Sequence, residues 1–385
     1  MAFSAPVRRA ATLFAACVAS CLATSGQIAP LNAKSKSAAG GKTSAEQILP
    51  HVKAWRMADD YTVADTAVVD TILAEHQVNN PIWRRSLANV TLGNLGSPSL
   101  PTFYPALRRD EGNVFYNSLL PLMLEPEDFT FYNTVTPYAN LTYQKGIPKA
   151  RREEFFSALF TQNVNKRLNI GARMDISKFG MWASYDGDVY KLQLQAWYQK
   201  YDIEENGGIT NDSIVLYPDL FNYDKAEDYP VQFMDAGNRL ATYRLLLAHS
   251  LDLGSVTRSE GDSVEYDVPV ATAFHKLYVD KSHHEFTIGD LSTYADQLDE
   301  LFPAILVDPA RTHDSRKYML VSNLFQLKLN EEFNSLLRFG LRAYIGNDIR
   351  QYYWDAESEV VTDDETDEQS LVFHRNKKNR VSTYM

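Results

Sequence analysis

Long stretches in which apolar and polar residues alternate constrain the fold of this chain more than any other feature. From Leu168 to Ile176 every second residue is apolar, whereas the residues between them are polar, charged or glycine. The apolar set is Leu168, Ile170, Ala172, Met174 and Ile176, and the other set is Asn169, Gly171, Arg173 and Asp175. Because successive side chains of a β-strand point to opposite faces, this segment predicts a strand with one apolar face and one face that carries charge.

The same alternation recurs over much of the chain after about residue 129. The other segments are Phe131–Gln144, Lys191–Gln199, Leu240–Leu253, Tyr266–Tyr278, Lys317–Leu329 and Leu337–Ile345. We count about eight or nine predicted strands of about ten or more residues, whereas strands of soluble domains average about five or six. Pro137 lies inside the first segment and predicts an edge or a bulge there, because proline cannot donate to a strand ladder.

The connections between these segments favour a membrane protein. Short turns such as 165–167 and long polar loops at 202–213, 217–238, 255–265 and 278–316 would join the strands. Long strands with such connections are typical of a transmembrane antiparallel β-barrel, the one kind of sheet that leaves no backbone group unpaired in lipid. A soluble all-β protein, with one packed face and one wet face, is the alternative.

The composition excludes several other classes of protein. With 45% hydrophobic and 12% aromatic residues, the 385-residue chain is too apolar for intrinsic disorder. A net charge of -11 argues against a nucleic-acid partner, which would call for a basic face. After residue 26, one of the longest apolar runs is Leu301–Val307, far shorter than the about 20 residues of a membrane-spanning helix.

Residues 1–26 have the pattern of a signal peptide. Two arginines precede an apolar stretch of small residues, Ala10–Ala23, and we predict cleavage before Gln27. Val18–Cys21 also resembles a lipobox, so a periplasmic lipoprotein anchored at Cys21 is the alternative. Because both cysteines of the chain lie in this segment, the mature protein would have no thiol.

The rest of the chain divides into three predicted parts. Residues 27–45 are rich in Ala, Ser, Gly and Lys and predict a flexible tether. Residues 46–128 are mixed, with one weak helical pattern over Val63–His76, and predict a small periplasmic N-terminal extension. Residues 129–385 would form the barrel.

Three stretches resemble a known family. They are Thr91–Ser99, Phe129–Tyr143 and Ala158–Gly171, of which the second and third together are specific. They are similar to motifs of the putative porin family of Bacteroidetes outer membranes, and Glu205–Asp212 and Leu327–Ala343 resemble a later loop and hairpin of that family. The resemblance runs from about residue 55 to about residue 373. It implies an outer-membrane β-barrel of presumed pore function and brings no defined substrate.

The end of the chain departs from that pattern. Barrels of this kind usually end on a strand that closes with an aromatic residue, whereas this chain ends in the basic tail His374–Arg380 followed by Val381–Met385. This ending favours a barrel that is incomplete at its C-terminus over one that the chain closes alone.

Residues that could carry chemistry are few. The chain has no nucleophile elbow, Walker loop or HExxH motif, so we expect no enzyme and no cofactor. His283 and His284, with Asp280 and Glu285, could bind a metal, but a solvated loop is the favoured interpretation and we predict no metal site. The acidic run Asp355–Glu368 predicts an exposed outer loop rather than a calcium site.

Charged residues on the polar faces of the strands are the candidate functional residues. We predict that Arg173, Asp175, Arg338 and Arg342 line the lumen of the barrel. The arginines could bias the lumen towards anions, as basic rings do in pores. Alternatively, acidic neighbours such as Asp175 neutralise them and they merely fill the barrel.

These observations predict a porin that lets small solutes diffuse, passively or selectively, through a polar lumen. Its partners would be outer-membrane lipids, the barrel-assembly machinery during insertion and the small solutes themselves, with no nucleic acid. A plugged or surface-exposed binding or assembly protein without pore activity is the first alternative, and the lipoprotein anchored at Cys21 is the second.

Overall fold

The computed structural model describes most of the chain after residue 128 and parts of the chain before it. The described residues are 52–57, 64–67, 89–91, 98–102, 119, 123, 129–145, 154–175, 177–221, 223, 228–231, 233, 236–260, 264–288, 312–331, 340–362 and 369–384. The predicted signal peptide, Cys21, the tether and Arg338 lie outside them.

Strands make up nearly all of the described structure. In chain order they are β1 Val52–Met57, β2 Ala64–Ala67, β3 Asn89–Thr91, β4 Ser99–Pro101, β5 Thr130–Thr134, β6 Tyr138–Lys145, β7 Glu154–Asn163, β8 Leu168–Asp175, β9 Lys178–Asp186, β10 Tyr190–Glu205, β11 Ala236–Glu260, β12 Val264–Ile288, β13 Thr312–Leu329, β14 Leu341–Thr362 and β15 Gln369–Tyr384. One helical turn, α1 (Ser213–Leu216), and a 3-10 turn, Pro218–Leu220, follow β10. Within the described residues, no helix is long and apolar enough to cross a membrane.

Ten of the strands form one sheet. Strands β6 to β15 pair in chain order, each antiparallel to the next, and in the described part of the chain β6 and β15 are the two edges. A second sheet has the order β2-β1-β5, and β3 pairs with β4. The predicted all-β, antiparallel fold class is therefore confirmed, and the large sheet is open in the residues described.

The strands of the large sheet are long, as predicted. Strands β11 and β12 have 25 residues each, and β14 has 22. A tilted strand needs only about 9–11 residues to cross a bilayer. One predicted loop is wrong, because 255–260 and 264–265 continue β11 and β12, with Ser255 opposite Pro269 and Glu260 opposite Val264. The predicted acidic loop is also partly wrong, because 355–362 belong to β14 and pair with β15.

The two faces of the large sheet differ in burial. On β11 the even-numbered residues from Leu240 to Ala248, such as Thr242 and Leu246, are buried, whereas Tyr243 and Leu245 are 55% and 38% exposed. We call the face of these even-numbered residues, with those opposite them on other strands, the inner face, and the other the outer face. The exposed outer-face residues include Leu141, Tyr143, Met181, Leu194, Tyr243, Leu245, Leu251, Leu253, Phe325, Leu327, Leu341, Ile345 and Val381.

The segment predicted as one strand from Phe131 to Gln144 is two strands. Strand β5 ends at Thr134 and belongs to the small sheet, whereas β6 begins at Tyr138 on the edge of the large sheet. Pro137 lies in the break, where its missing N–H interrupts no ladder, in agreement with the predicted edge position. The helical pattern over Val63–His76 is also misleading, because Ala64–Ala67 forms β2 through pairing with β1.

The apolar core lies between the two sheets. We call β1 and β5 the internal strands, because Met57, Phe129 (directly before β5) and Phe131 cluster with inner-face side chains of the large sheet. The inner-face members are Leu159, Trp182, Trp197, Leu246, Ala248 and Phe274. Leu119 and Met123 pack near the far end of the same face, against Tyr201 and Leu240. Parts of the predicted N-terminal extension therefore contact the inner face.

Candidate functional site

The inner face is lined by polar side chains along the strands. Because the inward positions of β7, β8 and β9 alternate with mostly apolar outward ones, Asn163, Asn169 and Ser184 lie side by side across the sheet. The Thr161 hydroxyl donates to Asn169 Oδ1 at 3.0 Å, and the Trp182 indole N–H donates to the same oxygen at 3.2 Å. Asn169 in turn donates to Asn163 Oδ1 at 2.7 Å. These hydrogen bonds satisfy amides that would be costly to bury alone.

A buried ion pair crosses the inner face between β11 and β12. Arg244 lies directly opposite Asp280, and its Nε is 2.9 Å from Asp280 Oδ2. The two side chains are only 4% and 8% exposed. Each charge compensates the other, because either one alone would be buried without a counter-charge.

Among the residues whose side chains the structure describes, basic residues outnumber acidic ones on the inner face, although the whole chain is acidic. The basic side chains described on this face are Arg173, Lys178, Lys191, Arg244, Arg258, Lys276, Arg316, Lys328, Arg342, Arg350, Lys378 and Arg380. The acidic ones are Asp175, Asp186, Glu205, Asp252, Asp280 and Asp348. A lumen bounded by this face would therefore carry a positive potential.

The described residues among the predicted lumen-lining set all lie on the inner face, but not together. Arg173 and Asp175 are on β8, opposite Gly180 and Lys178, whereas Arg342 is on β14, opposite Lys328. In the part of the chain that the structure describes, no ion pair joins Arg173 to Asp175, whose Oδ1 instead accepts the Ser177 N–H at 3.3 Å.

The charge of Arg173 acts on the internal strands. Burial raises the pKa of the Tyr132 phenol on β5, and the charge of Arg173 opposes part of that rise. The arginine therefore acts electrostatically on a side chain of the internal strands.

A first cavity lies between the internal strands and the wall of β7 to β12. We call it the internal cavity; its volume is about 340 Å³. Its basic lining side chains are Lys53, Lys166, Arg167 and Lys191, and Asp186 is its acidic one among the described residues. Arg167 forms an ion pair with Asp188, and Lys191 Nζ lies 3.7 Å from Asp186 Oδ1. A hydrogen bond with Tyr185 and the charge of Asp188 raise the pKa of Arg167, which keeps it cationic.

A second cavity adjoins the first. We call it the end cavity; it has a volume of about 580 Å³ and shares Lys191 and Ser250 with the internal cavity. Lys328, Arg342 and Asp252 also line it, and the Thr272 hydroxyl donates to Asp252 Oδ1 at 2.7 Å. Among the described residues predicted to line the lumen, Arg342 therefore lines a cavity.

Sequence reasoning missed most of the basic residues of the internal cavity. Lys191 lies on the polar face of a predicted strand, so the alternating pattern could have identified it as an inner-face residue. Lys166 stood in a predicted turn. Lys53 gave no signal, because nothing in residues 46–128 indicated that β1 contacts the large sheet.

The histidine pair is not in a loop, contrary to the prediction. His283 and His284 lie within β12 and point to opposite faces. His284 is buried on the inner face, with Nε2 2.8 Å from Asn238 Oδ1, whereas Nε2 of His283 is 3.1 Å from Ser315 Oγ. Neighbours on opposite faces cannot share one ion, and within the described residues no group of three or more candidate ligands comes together.

Comparison with known proteins identifies one family. The chain matches the family model described as putative porin over residues 52–384, from the first residue of β1 to the last residue of β15. No curated protein and no solved structure matches the chain. The match confirms the family that the three motifs predicted, whereas the bacterial phylum named with that family stays a prediction.

Proposed function

Because the chain belongs to the putative porin family, we propose that it is an outer-membrane porin through which small solutes diffuse. Strands β6 to β15 would form the wall of a transmembrane barrel, with the inner face turned to the lumen and the outer face to lipid. Transport would need no cofactor and no catalytic residue.

The observation that carries this proposal is the reversed polarity of the large sheet. Gln195, Gln199 and Thr242 are fully buried on the inner face, whereas Leu245 and Phe325 are exposed on the outer face. A soluble sheet buries its apolar face and leaves the polar face in water. In a membrane barrel the outward band is apolar and the interior polar, which is the arrangement of this sheet.

The connections suggest an orientation. The turns 164–167 and 187–189 lie at one end of the sheet, where β11 also ends and β12 begins, and β6 starts from the same end. Short turns of bacterial barrels face the periplasm. We therefore propose that this end faces the periplasm and that the N-terminal extension enters the barrel from there.

A plugged barrel is the second candidate, and a specific observation favours it. The internal strands cover the inner face around Trp182 and Trp197, and Leu119 and Met123 cover it near Leu240. A lumen filled in this way would conduct weakly or only after the internal strands move. The anchor at Cys21 stays an alternative prediction for how the protein is attached.

Reconstitution of the chain from Gln27 to Met385 tests the proposal. We expect stepwise conductance in planar lipid bilayers and entry of a neutral pentose into liposomes that carry the protein. Protein that floats with the liposomes but gives neither signal would support the plugged barrel. Protein that stays monodisperse in buffer without detergent would contradict both candidates.

A further inference from the structure

We propose that the internal cavity is a binding site for small organic anions that carry a carboxylate or phosphate group. This inference deepens the proposed function, on which it rests, by naming the class of solute. The described side chains of the inner face have an excess of basic residues, and the internal strands add the charge of Lys53 to it.

Two lysines of the cavity have no carboxylate partner among the residues that the structure describes. Arg167 and Lys191 each have a carboxylate partner, Asp188 and Asp186. Lys53 and Lys166 also line the cavity, and no ion pair involves either of them among the residues described. A solute that brings its own negative charge would supply the missing partner.

These two lysines come from different parts of the fold. Lys53 lies on the internal strand β1, and Lys166 lies in the turn between β7 and β8. The cavity therefore exists only when the internal strands are docked on the large sheet. Its positive charge comes from both the internal strands and the wall. An anion bound between them would contact the internal strands and the wall together.

The neutral lining suits a small carbon skeleton rather than a bare ion. Trp55, Tyr132 and Tyr185 supply aromatic surface, and Asn133 and Gln193 supply amide groups. A volume of about 340 Å³ is near the lower end of the range for small-molecule sites, roughly 300–1,000 Å³. The cavity is thus large enough for a short dicarboxylate or a phosphorylated compound of similar size.

The neighbouring end cavity extends the basic lining. Lys191 belongs to both cavities, and Lys328 and Arg342 follow it along the inner face. An anion leaving the internal cavity would therefore meet further basic side chains. A neutral or cationic solute of the same size would gain no such attraction.

Ion selectivity of the reconstituted chain provides the test. In a potassium chloride gradient across a planar bilayer, we expect the reversal potential to report a preference for chloride over potassium. The double variant Lys53→Gln/Lys166→Gln should lower the chloride-to-potassium permeability ratio by about fivefold, as expected for two screened charges near the path. The control Lys200→Gln/Lys317→Gln removes two outer-face lysines and should leave the ratio unchanged.

Equilibrium dialysis separates failure of this inference from failure of the proposed function. If the wild-type chain conducts without preferring anions, or if the double variant keeps the preference, the anion site is overturned and the pore stands. If no conductance is found, the pore is overturned. The site then stands only if the wild-type chain binds succinate or inorganic phosphate and the double variant does not. If the wild-type chain binds neither succinate nor inorganic phosphate, the site is overturned.

Discussion

At the scale of single residues, the inner face depends on partners that are distant in the sequence. Arg244 and Asp280 are 36 positions apart but lie directly opposite each other, and the Tyr278 hydroxyl donates to the same Asp280 oxygen at 3.4 Å. Gly171 lies opposite Trp182, and a Cβ on this glycine would come within 2.1 Å of the indole ring. Alternation predicts which side chains share a face, but it does not predict the register that creates such pairs.

The buried ion pair gives a prediction on stability. Arg244→Met should lower the free energy of unfolding by roughly 3–5 kcal/mol, because Asp280 would be buried without its counter-charge. Urea unfolding of the detergent-folded chain, followed by tryptophan fluorescence, measures the change. The double variant Arg244→Met/Asp280→Leu removes both charges and should lose much less. An equal loss in the single and double variants would show that the charges do not compensate each other.

At the scale of elements, the wall strands were more predictable than the internal strands. Strand β8 follows its alternating pattern to within one residue, because one face is apolar and the other polar along its whole length. Strand β5 was predicted to continue into β6, although it pairs with β1 across more than 70 positions. Phe129 and Phe131 look the same in sequence whether they face lipid or pack inside, so the internal position was not predictable.

Removal of a ring from the internal strands should loosen them. The Phe129 ring stacks on Trp197 with centroids 5.2 Å apart, and it meets Trp182 edge-on at 5.8 Å. Phe129→Ala should lower the free energy of unfolding by about 3–5 kcal/mol and raise the bilayer conductance, since the ring fills space above Gly180. Phe160→Ala, on the outer face of β7, is the matched control and should not raise conductance. Equal conductance in wild type and Phe129→Ala would mean that the internal strands do not obstruct the lumen.

At the scale of the whole molecule, charge and hydrophobicity are separated by face. The chain as a whole has a net charge of -11, but among the described side chains of its inner face the basic ones outnumber the acidic ones. Period-two alternation together with strand length predicted this separation from the sequence. The internal cavity was not predictable in the same way, because it forms where β1 and β5 meet the turn between β7 and β8 and the neighbouring wall strands.

The proposed membrane barrel is tested most directly by measuring which face of the large sheet contacts lipid. A chain that starts at Gln27 has no cysteine, so nitroxide labels can be attached to single cysteines at Leu194 and Leu245 on the outer face and at Gln193 and Ser250 on the inner face. In liposomes, power-saturation measurements should show the outer labels accessible to oxygen and shielded from a water-soluble nickel complex. The inner labels should show the opposite. Outer labels that are as accessible to nickel as the inner ones would contradict a membrane barrel.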